Sequence, residues 1–294
     1  MKRFIAFNAV LLIAGFSVVA FSADGNTEAE TEVKSPWSFS AYTETTFGWS
    51  EDFESNDWNQ ETAASVGYNL GDDYSVRVKQ AFYNAWRKEG ENAEGKFSIA
   101  NTQIDFSKRS FAKIEPAGIG LNAGLRVMLP TSRLMEDNRD SAFITYIQPS
   151  ISGSKAWGKL SLSSAVGFRF YITEHPYNFS GMKKDDDGND TNEPDISPNP
   201  RAQQNWATTV AYKLSEKLNV SATSYFFMTW FRTQASRVSP KLLFIPDVSY
   251  SVTDNLGLSL GLYLGDDSIR KWANDPVDII QSGSSAYANV SYSF

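Results

Sequence analysis

Few residues in this chain could do bond chemistry. His175 is the only histidine among 294 residues, and there is no cysteine. Thiol nucleophiles, thiolate metal sites and disulfides are therefore excluded. One imidazole cannot build a His-rich zinc site either. Glu174-His175-Pro176 sits in a polar stretch, and nothing local supplies the serine and acid that a Ser-His hydrolase needs. His175 is expected to be a solvated loop residue, with no catalytic residue, metal or cofactor. The acidic run from Lys183 to Asp190 has its glycine misplaced for an EF-hand loop and lacks the closing Glu. It reads as a solvated charge run. The remaining candidates are isolated charges set two apart or alone within apolar-alternating segments, such as Arg77 and Lys79. What they can do depends on the elements that aim them.

Those elements are strands. From Trp37 to Trp49 the odd positions are mostly apolar or aromatic and the even ones small or polar, the period-two signature of a half-buried strand. The pattern returns at Tyr74-Val76-Val78-Phe82, at Ile119 to Leu129, at Leu160 to Ile172, at Trp206 to Leu214, at Leu218 to Trp230 and most cleanly at Leu256 to Leu264. Tight turns at 71–73, 153–158, 215–217 and 253–255 alternate with long polar stretches at 51–59, 88–96, 132–140, 174–203 and 266–282. No apolar run in the mature part approaches the roughly 20 residues of a membrane helix. The fold class expected is all-β, a transmembrane antiparallel β-barrel of about 12 strands, near 37–49, 60–70, 74–86, 97–107, 118–130, 142–152, 159–173, 204–214, 217–231, 238–252, 255–265 and 284–294. Ten and fourteen remain compatible. Residues 108–117 are long for a tight turn, 142–152 show no clean phase, and Pro149, Pro240 and Pro246 fall inside strands, where bulges would have to hold them. Tyr68, Tyr74, Tyr212, Tyr250 and Tyr292 gather at turn ends, as expected of a headgroup-level aromatic belt. A soluble β-barrel with the small Gly/Ser/Asn face outside is the alternative.

Lys2 and Arg3 precede an almost wholly apolar stretch to Ala20, and Ala20-Phe21-Ser22 supplies small residues for cleavage. Residues 1–22 are read as a signal peptide cut after Ser22, with Ala23 a near alternative. Residues 23–35 follow as an acidic, disordered segment, and 36–294 as the barrel. Loss of Lys2 and Arg3 moves the formal charge from −7 to −9. A lipid-anchored N-terminus would need the missing cysteine.

The final segment, Ser285 to Phe294, carries Phe294, Tyr292, Val290, Ala288 and Ala286 at every second place. It resembles the C-terminal strand of Gram-negative outer-membrane barrel proteins over about ten residues. The resemblance implies that Tyr292 and Phe294 form a signal read by the barrel-assembly machinery. It also implies an outer-membrane location, both termini periplasmic, and contact with lipid and lipopolysaccharide. In size the chain resembles small twelve-stranded channels for nucleosides or acidic oligosaccharides, without a diagnostic motif of either.

On these phases Arg77, Lys79, Arg126, Arg169, Lys213 and Lys241 point inward, with Glu44, Asp105 and Asp247, six basic residues against three acidic. The expected function is a narrow, passive, porin-like channel for small hydrophilic solutes. Its selectivity would be set by width and by these lumen charges, with a preference for anions. Nucleic acid is not an expected partner. Two rivals stay open: a closed barrel with a structural or surface-interaction role, its charges pairing across the lumen, and a barrel-embedded hydrolase.

Overall fold

The computed structural model describes residues 35–48, 58–86, 96–115, 117–131, 144–173, 177–184, 190–232, 238–268 and 284–294. Residues 1–34, the expected leader and acidic segment, lie outside these. The described chain forms β1 (Trp37–Gly48), β2 (Trp58–Leu70), β3 (Tyr74–Trp86), β4 (Lys96–Ile99), β5 (Thr102–Ile114), β6 (Ile119–Leu129), β7 (Ile144–Trp157), β8 (Leu160–Thr173), β9 (Tyr177–Lys184), β10 (Asp190–Pro198), β11 (Pro200–Lys213), β12 (Leu218–Phe231), β13 (Val238–Ser251), β14 (Leu256–Ser268) and β15 (Ser285–Ser293). Each wall strand pairs antiparallel with its neighbour in the chain, and β1 pairs with β15. β4 and β5 both pair with β3 and together make one wall strand, while β9 and β10 form a separate hairpin. The wall is thus a closed barrel of twelve strands. Closure leaves no unpaired edge, so every wall strand finds partners for its backbone donors and acceptors on both sides.

The connections are asymmetric, as the sequence predicts. At one end they run over 71–73, 115–118, 158–159, 214–217 and 252–255, while at the other they span 49–57, 87–95, 130–143, 174–199, 232–237 and 269–284. Gly71 and Gly158 hold φ of 72° and 60° in two of the tight turns, a region that a Cβ disfavours.

Four sequence expectations are corrected. The wall strand expected at 97–107 is split, Lys96–Ile99 and Thr102–Ile114. It runs on past Lys108 because a register shift between Lys108 and Ala112 absorbs the extra residues. Ser110 takes φ 48° there, and its N–H donates to Asn122 Oδ1 at 3.0 Å. The turn at 153–158 shrinks to Gly158-Lys159, with Trp157 facing Leu160 across it, the two-residue hairpin that a leading glycine permits. The stretch 142–152, without a clean phase, is part of the fourteen-residue β7. Its outward face mixes Ile147 and Ile151 with Thr145, Pro149 and Gly153, which blurs the alternation. The long polar stretch 174–203 contains the β9–β10 hairpin and the start of β11.

The outward face is apolar. Val78, Leu125, Ile151, Phe168, Trp206, Val210, Val248, Leu258, Leu260 and Val290 all lie exposed on it. Apolar side chains that alternate outward around a closed wall are the surface of a barrel solvated by lipid. Tyr74, Tyr212, Tyr250 and Tyr292, together with Trp37 and Trp157, stand exposed at the tight-turn end, and the Trp37 ring meets Tyr68 edge-on at 4.7 Å. The aromatic ring of residues expected at the turn ends is therefore present.

Candidate functional site: a belt of lumen-facing side chains

By the cross-strand register the nine sequence-selected charges fall on the strand phase opposite the exposed apolar side chains. Arg77 faces Gly67 and Asp105, Lys79 faces Ser65 and Gln103, and Arg126 faces Asp105 and Gln148. Arg169 faces Gln203, Lys213 faces Asn219, Lys241 faces Phe227, Asp247 faces Ser221 and Gly261, and Glu44 faces Glu61 and Asn289. They do not form one ring. Lys213 is exposed at the tight-turn rim, and Arg77 lies nearer that end of β3 than Lys79 does.

The lumen divides into two halves along its axis. In the tight-turn half most inward residues are small, with Arg77 and Lys213 as exceptions: Ser65, Ser75, Asn122, Ser163, Thr209 and Ser259 are all partly exposed. Hydroxyl pairs such as Ser75–Ser107 at 2.6 Å and Thr209–Thr223 at 2.8 Å line its wall. In the half toward the long connections the inward residues are large. Thr46, Glu61, Lys79, Gln103, Gln148, Arg169, Asn205, Tyr225, Leu243, Tyr263 and Tyr287, one from each wall strand but β6, are all buried. A water-filled bore at that level would leave them exposed, so here the protein's own side chains occupy the lumen. The result is a small-residue vestibule leading to a filled belt.

The belt has a charged side and an aromatic side. On the charged side, Lys79 Nζ donates to Glu61 Oε1 at 3.2 Å and to Tyr42 Oη at 2.6 Å, while the Tyr42 hydroxyl also donates to Glu61. Arg126 Nε donates to Asp105 Oδ1 at 2.7 Å, and Gln103 holds the other carboxylate oxygen at 2.6 Å. Arg169 Nε donates to Gln148 at 3.1 Å, its Nη1 reaches the Tyr171 hydroxyl, and its guanidinium lies 4.1 Å from the Tyr146 ring centre. Arg169 is thus held by neutral acceptors and a π face, and its positive charge faces no carboxylate in these contacts. Glu44 accepts from Tyr263 at 2.8 Å, and Asp247 accepts from Tyr287 at 2.6 Å. The charged pairs join neighbouring strands along the wall, so the expectation of pairing across the lumen is not what closes it.

The aromatic side spans β11 to β15 and comprises Ala207, Tyr225, Phe227, Leu243, Ile245, Tyr263 and Tyr287. Tyr225 and Phe227 lie parallel, 3° apart, and Tyr263 stacks on Tyr287 at 4.7 Å. Gly261 makes the second stack feasible, since a Cβ there would sit 2.5 Å from the Tyr287 hydroxyl oxygen and 2.6 Å from its ring carbons. The Tyr287 ring lies flat on the wall because position 261 has no side chain.

Glu61 was missed by the sequence reading, as were Gln103, Gln148, Gln203 and Asn205. The alternation of Glu61, Ala63, Ser65 and Gly67 against Thr62, Ala64, Val66 and Tyr68 carries the signal for Glu61, but both faces of β2 are mostly small. Tyr292 and Phe294 lie exposed, their rings 4.5 Å apart. His175 and residues 185–189 of the acidic run fall outside the described residues. Among the described residues no cluster of three His, Cys, Asp or Glu side chains could hold a metal ion.

Fold and lumen together define a twelve-stranded barrel with an apolar exterior and a polar, constricted interior. Among solved structures it is similar to an outer membrane channel from Pseudomonas putida F1, with a TM-score of 0.54 and 8% identity over 88% of this chain and 94% of that one. It is also similar to the NanC porin, with a TM-score of 0.49 and 9% identity over 86% of this chain and 98% of that one, and to the KdgM porin, at 0.46 and 9% over 87% and 99%. At such identity the first likeness establishes the shared fold; the other two scores are too low to carry weight. No protein-family model and no curated protein matches the sequence.

Proposed function

We propose that this chain is a narrow, passive, porin-like channel of the bacterial outer membrane for small hydrophilic solutes, preferring anions. The observation that carries the reading is the change of lumen along the axis. Small barrels that serve only as walls are filled by their own side chains. Here partly exposed small residues line the lumen toward the tight-turn end, and a single belt of buried side chains follows them. Selectivity in such a constriction is set by the charges lining it, which act at short range and are weakly screened. In the belt Lys79 and Arg126 each engage a carboxylate and Arg169 does not, while Glu44 and Asp247 accept from tyrosine hydroxyls. The lumen as a whole supports the anion preference, since Arg77, Lys213 and Lys241 join these cations on the inward face. The tight-turn end and both chain ends would face the periplasm. Lipid and lipopolysaccharide would contact the outer wall, and Tyr292 and Phe294 would serve barrel assembly.

A closed barrel with a structural or surface-interaction role is the second reading, favoured by the burial of the belt. Single-channel recording of the folded chain in a planar bilayer separates the two. The channel reading expects discrete conductance and a reversal potential on the anion side in a salt gradient. Arg169→Ala should shift that potential toward cations, and so should Arg126→Ala, which also frees the Asp105 carboxylate. Absence of conductance would support the closed barrel, and cation preference in the parent chain would overturn the anion assignment.

A further inference from the structure

The outer face of the wall holds a groove of about 410 Å³ between β6, β7, β8 and β11, a volume within the range of small-molecule sites, roughly 300–1,000 Å³. It extends from Lys155 and Trp157, near the tight-turn end of β7, to Trp206, midway along β11. Gly153 accounts for the depression. It shares the outward phase of β7 with Ile151 and Lys155 but carries no side chain. A Cβ there would stand 3.1 Å from Ile119 Cγ2 and from Leu121 Cδ2, which lean toward it from β6. Trp206 forms the far side. Its indole N–H donates to Ser164 Oγ at 2.9 Å, two residues nearer the tight-turn end than Val166, its register partner. Midway along the wall no headgroup can accept from the indole, so this bond satisfies the N–H and lays the ring along the groove. Ile151, Leu162 and Trp206 keep their apolar surfaces exposed.

Lys155 is the chemical exception in this groove. It stands half-buried on the outward phase of β7, where a charge is tolerated only near the headgroups. Its Nζ donates to the Ala117 carbonyl and lies 5.4 Å from the Trp157 ring centre. An ammonium has three donors, and among the described residues no carboxylate lies within ion-pair distance of this one. We infer that the groove is a site for one anionic glycerophospholipid, with an acyl chain over Gly153, between Leu121 and Trp206, and the phosphate accepting from Lys155. Three observations name this occupant. The groove is continuous with the lipid-solvated wall, its lining is apolar over most of its length, and its one cation stands at the end nearer the rim. A phospholipid carries charge and chain in that same order, and its phosphate offers Lys155 a charge-assisted bond. The site would retain one lipid selectively where the rest of the wall meets an exchanging shell. The inference rests on the reading of the tight-turn end as periplasmic, the side of the phospholipid leaflet, and not on conduction.

Dimyristoylphosphatidylglycerol, dimyristoylphosphatidylcholine and lipid A are the probes, and the full chain folded in detergent is the sample. Native mass spectrometry counts the lipids each barrel retains. One phosphatidylglycerol should be retained, at a concentration at least tenfold below that needed for phosphatidylcholine. Lys155→Gln should reduce this preference to about threefold or less. Gly153→Leu, whose side chain would enter the groove, should weaken retention of both lipids tenfold or more, with the folded, heat-modifiable barrel confirmed on gels. Equal retention of the two lipids by the parent chain, or a preference indifferent to Lys155→Gln, would overturn the site whether or not Gly153→Leu folds. Retention unchanged by a folded Gly153→Leu barrel would do the same. A dimer mass that Gly153→Leu abolishes would give the groove to a second copy of this chain and overturn the lipid assignment. Lipid A retained in preference to phosphatidylglycerol would overturn that assignment together with the periplasmic placement of the tight-turn end. A barrel that retains phosphatidylglycerol as expected but passes no current keeps the site and loses the channel. One that conducts and retains neither phospholipid keeps the channel and loses the site.

Discussion

At the scale of residues, the belt holds ionised groups where water is scarce. Lys79 and Glu61 have side-chain exposures of 8% and 5%, so each depends on the other for neutralisation. Removing one partner of such a pair leaves an uncompensated buried charge and costs on the order of 3–5 kcal/mol. Lys79→Met should therefore lower the urea midpoint of the barrel in lipid vesicles, and adding Glu61→Gln should restore most of the loss. A double variant as unstable as the single one would show that Lys79 acts by packing rather than charge. Asn205 predicts the opposite sign. Its amide, both atoms buried without a hydrogen-bond partner, costs about 1–3 kcal/mol by the usual penalty for an unmade buried hydrogen bond. Asn205→Leu, similar in size, should raise the same midpoint. A site that gains stability when its polar group is removed is one held for something other than folding.

At the scale of elements, one phase governs each strand, because successive side chains point to opposite faces. β14 tests this directly. Leu260 is 64% exposed on the outer face, and its neighbour Ser259 faces Ser249 and Asn289 inside the vestibule. Leu260→Arg should destabilise the barrel in a bilayer by about 2–4 kcal/mol if it lies near the midplane. Ser259→Arg should cost far less and should alter conductance instead. Equal costs would mean that the two faces had been exchanged. Alternation of this kind made most strands legible from sequence, including β14 with its leucines at every second place. β2 and β7 were harder. On β2 small residues occupy both faces, and on β7 Thr145, Pro149 and Gly153 interrupt the outer face. The extension of β5 to Ile114 was illegible because a bulge shifts the alternation midway.

At the scale of the whole molecule, connection length marks the two ends of the barrel. A protease-cleavage tag inserted at position 189, between β9 and β10, should be cut on intact cells, whereas a tag at Asp72 should be protected until the outer membrane is opened. The reverse pattern would invert the orientation, and equal access would mean that the barrel does not span. The outward apolar surface and the tyrosines at the tight-turn rim already define a lipid-solvated wall. They also account for the composition, apolar residues arriving singly rather than in runs.

The sequence by itself determined the two faces of most strands, a strand number of about twelve with ten and fourteen still open, and the asymmetry of the connections. All three follow from a period of two and from turn chemistry, which are local along the chain. Only the tertiary structure decided which inward residues share a level. That depends on the stagger between strands when the sheet closes, and closure is set by pairings such as β1 with β15, more than two hundred residues apart in the chain. The stagger brings Glu61 to Lys79 and Arg126 to Asp105, and buries Asn205 among neighbours that do not satisfy it. The belt and the vestibule below it are therefore products of closure, since alternation tells a residue which way to face but not what it will face.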